Sequence, residues 1–129
     1  RLGSVHRNTF LNGPNLLNPQ LNLKKHPKVF FAGQITGVEG YMESTAMGIL
    51  AARQIAAALE NRIESPPSPD TMMGALIRYI TETEPSTFQP MNANFGLLNP
   101  PEKKMSKSER KIWYSERALK KAAQYADQT

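Results

Sequence analysis

Cysteine is absent from the 129-residue chain, which excludes disulfides, thiolate metal sites and a cysteine nucleophile within it. Histidine is scarce: the two residues, His6 and His26, are too few for a histidine metal site without carboxylates, so we expect no metal centre. Apolar runs are only a few residues long, so no segment could span a bilayer and we expect no membrane partner. The polar start shows no signal peptide, which leaves the cytoplasm as the default compartment.

The composition indicates one globular domain. Hydrophobic residues make up 40% of the chain and charged residues 21%, which is typical of a soluble protein with a modest core. The chain begins at Arg1 and not at a methionine, which we interpret as a piece of a longer protein or a trimmed chain. We expect apolar surface that is left exposed by missing partners to favour self-association.

Positive charge is concentrated near the end of the sequence. Between Glu102 and Lys121 eight basic residues oppose three acidic ones, so this stretch alone accounts for the net charge of +5. Such a field suits a polyanion such as RNA, and a solvated helix face explains it equally well. The candidate RNA-binding residues are Lys103, Lys104, Lys107, Arg110 and Lys111.

Two aromatic residues, Trp113 and Tyr114, lie among these basic residues and could stack on RNA bases. The commoner explanation, which we favour, is a helix whose apolar face packs on a core and whose charged residues lie outside. That explanation predicts a core face that includes Ile112, Leu119 and Ala122.

Turns dominate residues 1–28, which are rich in Asn, Pro and Gly, and we expect short extended pieces at 5–11 and 21–23 but no helix. The apolar run over residues 29–32 fits a buried strand of a parallel sheet. Gly33, Gly37 and Gly40 follow it within eight residues and mark a loop in which backbone passes close to something.

Three helices are predicted downstream. The first covers 41–61, with Met47, Leu50, Ile55 and Leu59 recurring at helical spacing. A proline-rich linker precedes a second helix, from 69 or 70 to about 81, for which Ser68 is the candidate N-cap. Residues 83–101 form a long loop tied down by apolar side chains. The third helix covers 106–125, with a capping-box pattern at its start.

The unit of strand, glycine loop and helix at 29–61 is the central feature. A helix N-terminus offers unpaired N–H groups and partial positive charge, and glycines let a flat or anionic ligand approach the backbone. Nucleotides bind in this way at the carboxyl ends of strands in α/β folds. The pattern alone leaves open whether this loop binds a nucleotide or is a tight turn.

The residues themselves carry a resemblance. The segment from Phe30 to Ser44 reads FFAGQITGVEGYMES, and the segments VHRNTF at 5–10, YIT at 79–81 and FQPMNANFGLL at 88–98 accompany it. The first resembles the second flavin-contact motif of the glucose-inhibited-division-protein-A-like flavoproteins. The set is similar, more narrowly, to their folate-dependent branch, the methylenetetrahydrofolate–tRNA uracil-5-methyltransferases. The resemblance covers almost the whole chain.

The resemblance implies an α/β fold, specifically the C-terminal segment of an FAD/NAD(P)-binding, Rossmann-like domain that is helix-rich with few strands here. Residues 1–64 would supply the strand, glycine loop and helix, and residues 65–129 a helical extension of the same domain. The family binds FAD, takes hydride from NAD(P)H and draws a one-carbon unit from methylenetetrahydrofolate. Its substrate is tRNA, which it methylates at C5 of the T-loop uridine.

The resemblance also implies site residues. The flavin-contact positions are Gly33, Gln34, Gly37, Glu39, Gly40 and Tyr41, with N–H groups near Gly40 and Tyr41 facing the O2/N1 edge of the flavin. The candidate folate-binding residues are His6, which would stack on the pterin, with Arg7, Asn8, Asn92 and Asn94. Capping and loop closure are the alternative for the two later asparagines, and helix stabilisation is the alternative for Glu39 and Glu43.

The chain departs from the family pattern in two ways. It has no Gly-x-Gly-x-x-Gly turn for the FAD pyrophosphate and no cysteine for the family's catalytic thiols. We therefore expect these residues alone to hold FAD weakly and not to catalyse methylation, with the rest of the parent chain as a partner. Two competing functions are the sister flavoprotein that carboxymethylaminomethylates wobble uridine and a non-catalytic, basic RNA-binding helical module.

Overall fold

The computed structural model describes residues 8–127, which contain four α-helices joined by long irregular segments. Their bounds are Gly13–Leu16 for α1, Tyr41–Leu59 for α2, Met72–Glu82 for α3 and Lys107–Ala126 for α4. Two short 3-10 turns cover Gly33–Thr36 and Phe95–Leu97. The expectation of a helix-rich chain is confirmed, and the bounds of α2 and α4 agree with the predicted helices to within two residues.

The buried strand predicted at 29–32 is wrong. Residues 8–127 contain no strand, only three isolated bridges, and the one in this segment pairs Phe30 with Asn22. Val29, at the start of the segment, is exposed. A parallel sheet needs parallel neighbours, whereas the backbone of this segment pairs antiparallel with residues 21–23: the Leu23 N–H donates to the Val29 carbonyl and the Phe31 N–H to the Leu21 carbonyl, both at 2.9 Å. The α/β architecture is therefore not formed within this part of the chain.

Helix α1 corrects the expectation that residues 1–28 lack a helix. It is a single turn with Pro14 in its first turn, where a missing N–H costs nothing. Gly13 lies so close to α3 that a Cβ there would overlap the carbonyl oxygen of Ile80. Asn12 adds a hydrogen bond of 2.9 Å from its Nδ2 to the carbonyl of Pro85. Contact with α3, distant in sequence, therefore stabilises a turn too short to form alone.

Helix α2 buries a narrower stripe than predicted. Met47 and Leu50 are buried as expected, but Ile55 is 40% exposed and Leu59 is 81% exposed. The stripe instead continues through Gln54 and Ala57. Because apolar residues occur on several sides of this helix, its sequence pattern did not determine which side would be covered.

Helix α3 begins later than predicted because Thr71, not Ser68, is its N-cap. The Thr71 side chain accepts a 3.1 Å hydrogen bond from the N–H of Gly74 and donates one of 2.7 Å to the Ser68 carbonyl. A Cβ at Gly74 would overlap the carbonyl oxygens of Pro67 and Ser68. The glycine therefore lets the proline-rich linker lie directly against the helix.

Helix α4 begins with the predicted capping box. Ser106 Oγ accepts from the N–H of Glu109 at 3.3 Å, and the Glu109 carboxylate accepts from the N–H of Ser106 at 2.9 Å. Hydrogen bonding with the side chain and then the backbone of Ser106 lowers the pKa of the Glu109 carboxyl. The local sequence was sufficient here because both partners lie within one helical turn.

A polar cluster joins the end of α4 to the segment after α2. Tyr125 donates a 2.7 Å hydrogen bond to Glu64, and Arg53 donates one of 2.8 Å to the same carboxylate oxygen while its guanidinium lies over the Tyr125 ring. Burial and then the bond to Glu64 raise the pKa of Tyr125 to about 12. Burial alone would raise the pKa of Glu64, but the hydrogen bonds from Tyr125 and Arg53 outweigh it and lower that pKa.

The main core draws on both predicted halves of the chain. Its buried members are Leu21, Val38, Met47, Leu50, Ala51, Leu76, Ile77, Ile80 and Phe88. The core contains residues from both sides of the predicted boundary between residues 64 and 65. The division of the chain at that boundary stays a prediction. Within residues 8–127 no helix is long and apolar enough to cross a bilayer.

Candidate functional site at the glycine turn

The glycine turn, residues 33–40, has the backbone that its composition predicts. Gly33, Gly37 and Gly40 have φ values of +74°, +92° and +110°, a region that favours glycine. The 3-10 turn Gly33–Thr36 ends at Gly37, and Gly40 is the N-cap of α2. The chain thus reverses direction and delivers the first turn of α2 to the surface.

The turn is packed from below by the core. Thr36 and Val38 are fully buried, and the Thr36 hydroxyl donates a 2.7 Å hydrogen bond to the Gly33 carbonyl. Beneath Gly37 lies the ring of the buried Phe88, which a Cβ at this position would overlap. Gly37 is therefore required by both its φ and its packing.

The amide end of α2 is open. No side chain within residues 8–127 caps this helix, and Tyr41 and Met42, its first two residues, are 95% and 82% exposed. The N–H groups of a first helical turn have no partner inside the helix and lie at the positive end of its dipole, and here the Glu43 carboxylate lies over Gly40 at this end. Gln34, in the glycine turn before this helix, is also exposed.

Glu43 has a role that the sequence interpretation missed. Its carboxylate accepts a 2.9 Å hydrogen bond from the N–H of Ala93, fifty residues away, and occupies the space that a Cβ at Gly40 would need. Glutamate at the third position of a helix commonly reaches back to an N-cap residue. A glycine N-cap has no side chain with which to complete a capping box. This was the one signal in the sequence that the Glu43 carboxylate binds elsewhere.

The Asn loop, residues 91–97, lies beside the glycine turn. Met91 pairs with it in a parallel bridge: its N–H donates to the Gly37 carbonyl and its carbonyl accepts from the N–H of Glu39, both at 2.9 Å. Asn92 adds a 3.0 Å bond from its Nδ2 to the Glu39 carbonyl. The structure therefore brings two groups of predicted site residues together, although they are far apart in sequence.

The amides of the Asn loop also close the loop itself. Asn94 accepts from the N–H of Gly96 and donates to the Asn92 carbonyl, each at 2.9 Å. Both functions of Asn94 are thus occupied, which favours the capping alternative for this residue. Asn92 and Asn94 are both exposed on the side of the loop that faces solvent.

The segment before α1 leads toward the same place. His6 and Arg7, the first two candidate folate-binding residues, lie outside the described residues, and Asn8 is exposed. Two residues later the Phe10 ring packs edge-on against Phe88, with 5.9 Å between ring centroids. The next residue, Leu11, donates a 2.8 Å hydrogen bond to the Ile35 carbonyl of the glycine turn.

The predicted basic residues of the RNA-binding set are all exposed: Lys103, Lys104, Lys107, Arg110 and Lys111. Arg117 differs, since its guanidinium contacts Asp70 at 3.3 Å, donates to the Asn99 carbonyl and lies 4.2 Å from the centroid of the Trp113 ring. It therefore anchors α4 and is not available to a polyanion.

The core face predicted for α4 is wrong in its residues. Ile112 and Leu119 are 59% and 71% exposed, while Tyr114 is only 6% exposed and Trp113 is half-buried. The buried side follows Tyr114 and Tyr125, which lie about three helical turns apart. Aromatic residues bury more area than aliphatic ones, and that preference decided which face packs.

Comparisons with known proteins agree with the motifs. A sequence model of the family described as Glucose inhibited division protein A matches residues 1–63. The whole chain is 50% identical to a protein of Syntrophus aciditrophicus named methylenetetrahydrofolate–tRNA-(uracil-5-)-methyltransferase TrmFO, of which it covers 29%. A protein of the same name from Cereibacter sphaeroides is 59% identical over 78% of this chain and 23% of its own length.

A third relative, from Syntrophomonas wolfei, has the same name and is 49% identical over 98% of this chain and 29% of its own length. The chain thus spans less than a third of the length of the curated relatives it matches. The identities extend over both the glycine turn and the Asn loop, so the resemblance seen in those motifs is confirmed. Residues 1–63 thus match the glucose-inhibited division protein A family, and the whole chain is similar to the branch that these relatives represent.

Proposed function

We propose that the chain is the flavin- and folate-facing part of an enzyme that transfers a one-carbon unit from methylenetetrahydrofolate to C5 of the T-loop uridine of tRNA. The enzyme would use FAD and NAD(P)H and act in the cytoplasm. The open amide end of α2 behind Gly40 is the observation that carries the proposal. The names of the relatives support this reaction over the modification of wobble uridine.

The glycine turn fits a flavin edge. The N–H groups at Gly40 and Tyr41 can donate to the electron-rich O2/N1 edge, where negative charge develops on reduction. A Cβ at Gly33 would overlap nothing, its nearest neighbour being Ser44 at 3.6 Å, and Gln34 is exposed beside it. FAD, when bound, supplies the hydride and one-carbon chemistry, and these residues hold and orient it.

Folate would lie between the Asn loop and the segment that contains Asn8. Asn92 is exposed where the loop meets the Glu39 backbone, so its amide can contact the edge of a pterin. We assign Asn94 the task of keeping the loop closed, because its amide is used within the loop. His6 and Arg7 remain proposed pterin contacts on the strength of the family motif.

Exposed apolar residues on α2 support contacts with further segments of the enzyme. Tyr41, Met42, Ile49 and Leu59 are all exposed. A helix with so much uncovered apolar surface is typical of one that packs in a larger assembly. We propose that further segments complete an α/β, Rossmann-like FAD domain over this helix, with residues 1–64 and 65–129 as its two parts, and that the isolated chain self-associates.

The first test compares the full-length gene product that carries this chain with the chain alone. We expect the full-length protein to purify with FAD and to transfer label from methylenetetrahydrofolate to tRNA when NAD(P)H is added. The chain alone should hold little FAD, because it has no Gly-x-Gly-x-x-Gly turn for the pyrophosphate. It should transfer no label, because it has no cysteine. A full-length protein that never carries a flavin would refute the proposal.

The second test concerns the five exposed basic residues just before α4 and in its first turns. Replacing Lys103, Lys104, Lys107, Arg110 and Lys111 with glutamine should weaken tRNA binding and flatten its salt dependence, by about 0.9 in logarithmic slope for each phosphate that these residues no longer neutralise. Replacing the exposed Lys25 and Lys28 instead should leave that slope unchanged. Filter binding across a salt series measures both, and an equal effect of the two sets would contradict an RNA-binding role for α4.

A further inference from the structure

The Asn loop is held at two ends by different parts of the fold. We propose that Tyr114 of α4, through its stack on Phe95, is a positioning residue that holds the exposed amides of this loop over the glycine turn. The inference rests on the proposed function, in which the Asn92 amide of this loop faces folate. It adds to the site a residue of α4 that touches neither cofactor nor substrate.

The first attachment of the loop is made by backbone. The parallel bridge at Met91 fixes the start of the loop against Gly37 and Glu39 with two hydrogen bonds of 2.9 Å. Beyond it, exposed hydrogen bonds join Asn92 to the Glu39 carbonyl of the turn and Ala93 to the Glu43 carboxylate of α2. Water competes for exposed hydrogen bonds, so these two alone define the position of the loop poorly.

The second attachment is the ring stack. The Phe95 and Tyr114 rings are nearly parallel, at 14°, with 5.4 Å between centroids. Tyr114 is buried in a small cluster with Ala75 and Leu98 and tilts against Trp113, so it cannot follow the loop if the loop moves. The Asn94 cap starts the 3-10 turn that carries Phe95. Offset stacking of this kind contributes beyond the area that it buries.

The two attachments together explain the shape of the site. Residues 92–94 bridge from the glycine turn to a ring held by α4, and the buried partner lies on α4, outside the site. Loss of the stack would leave intact the bridge at Met91 and the 2.7 Å hydrogen bond from the Arg78 guanidinium to the Leu97 carbonyl, and would loosen the segment between them. The expected consequence is poorer binding of whatever the amides contact, with the flavin end of the site unchanged.

The experiment uses three variants. Phe95→Leu keeps apolar volume and removes the stack, Tyr114→Phe keeps the stack and removes only the hydroxyl, and Ile112→Leu changes an exposed residue on the same helix as a control. In the chain itself, amide hydrogen exchange by NMR should show Ala93 exchanging about two- to tenfold faster in Phe95→Leu, as the worth of one stack predicts. The Met91 amide, bonded to Gly37, should keep its rate.

In the full-length protein, Phe95→Leu should raise the KM for methylenetetrahydrofolate about two- to tenfold while kcat and FAD content stay constant. Tyr114→Phe and Ile112→Leu should match the unmodified protein in every measurement. Equal exchange at Ala93 in all variants, or a fall in kcat and FAD content with KM unchanged, would overturn the positioning role. A full-length protein that binds no FAD at all fails the proposed function instead, and the exchange measurement still decides the inference about the loop.

Discussion

Replacing Gly37 with alanine is expected to lower the free energy of unfolding of the chain by about 2–5 kcal/mol. The residue has a φ of +92°, which costs a side-chain-bearing residue energy whatever its surroundings. In addition, the new Cβ would overlap the ring of Phe88, a buried member of the main core that has little room to move. Urea unfolding followed by circular dichroism measures the change.

Gly48→Ala is the matched control for that prediction. Gly48 lies within α2, and a Cβ there would meet nothing within 4 Å. The same chemical change should therefore stabilise the chain by about 0.5–1 kcal/mol, because alanine favours a helix interior more than glycine does. Similar effects of the two substitutions would show that Gly37 is not the tightly constrained position that its backbone and packing indicate.

Replacing Gly40 with alanine is expected to remove most of the FAD from the full-length gene product that carries this chain. The φ of +110° strains any side-chain-bearing residue, and the added Cβ would overlap the carboxylate of Glu43. Relief of the backbone strain moves the N-terminus of α2, where the proposed flavin-binding N–H groups lie, and relief of the overlap moves the Glu43 side chain beside them. A displacement of about 1 Å is enough to break well-formed hydrogen bonds to a ligand.

The measurement is the ratio of flavin absorbance to protein after gel filtration, which should fall by up to about tenfold if roughly 1.4 kcal/mol of binding free energy is lost. Thermal stability should fall less than in Gly37→Ala, because the atom that Gly40 meets is the end of a flexible side chain and not a core ring. Gly48→Ala should retain full flavin. Unchanged flavin content in Gly40→Ala would remove the main support for the binding role of this helix end.

The two glycines separate structure from function within a single turn. Gly37 faces inward, where the buried Phe88 makes it a packing residue, and Gly40, the N-cap of α2, faces the Glu43 carboxylate. Both occur in the same family motif, so the motif alone does not distinguish them. The neighbour that each Cβ would meet distinguishes the two glycines. It predicts that Gly37→Ala has the larger effect on stability and Gly40→Ala the larger effect on flavin retention.

Features that depend on nearby residues could be predicted before any packing was known. The glycine loop at 33–40, the capping box at Ser106 and the extents of α2 and α4 all follow from backbone chemistry within a few residues, and each prediction is confirmed. The motifs that carry the family resemblance are likewise contiguous stretches of the chain. Their interpretation needs no knowledge of which segments meet in space.

Features that depend on distant partners required the folded chain. The apolar run at 29–32 forms no parallel strand because its backbone pairs antiparallel with residues 21–23, whereas α1 forms because α3 lies against it. Which face of α4 is buried, and that Glu43 holds the Ala93 amide, likewise follow from contacts across the chain. Periodicity shows that a residue can be buried or bonded, but the free energy depends on the partner, and tertiary packing alone supplies it.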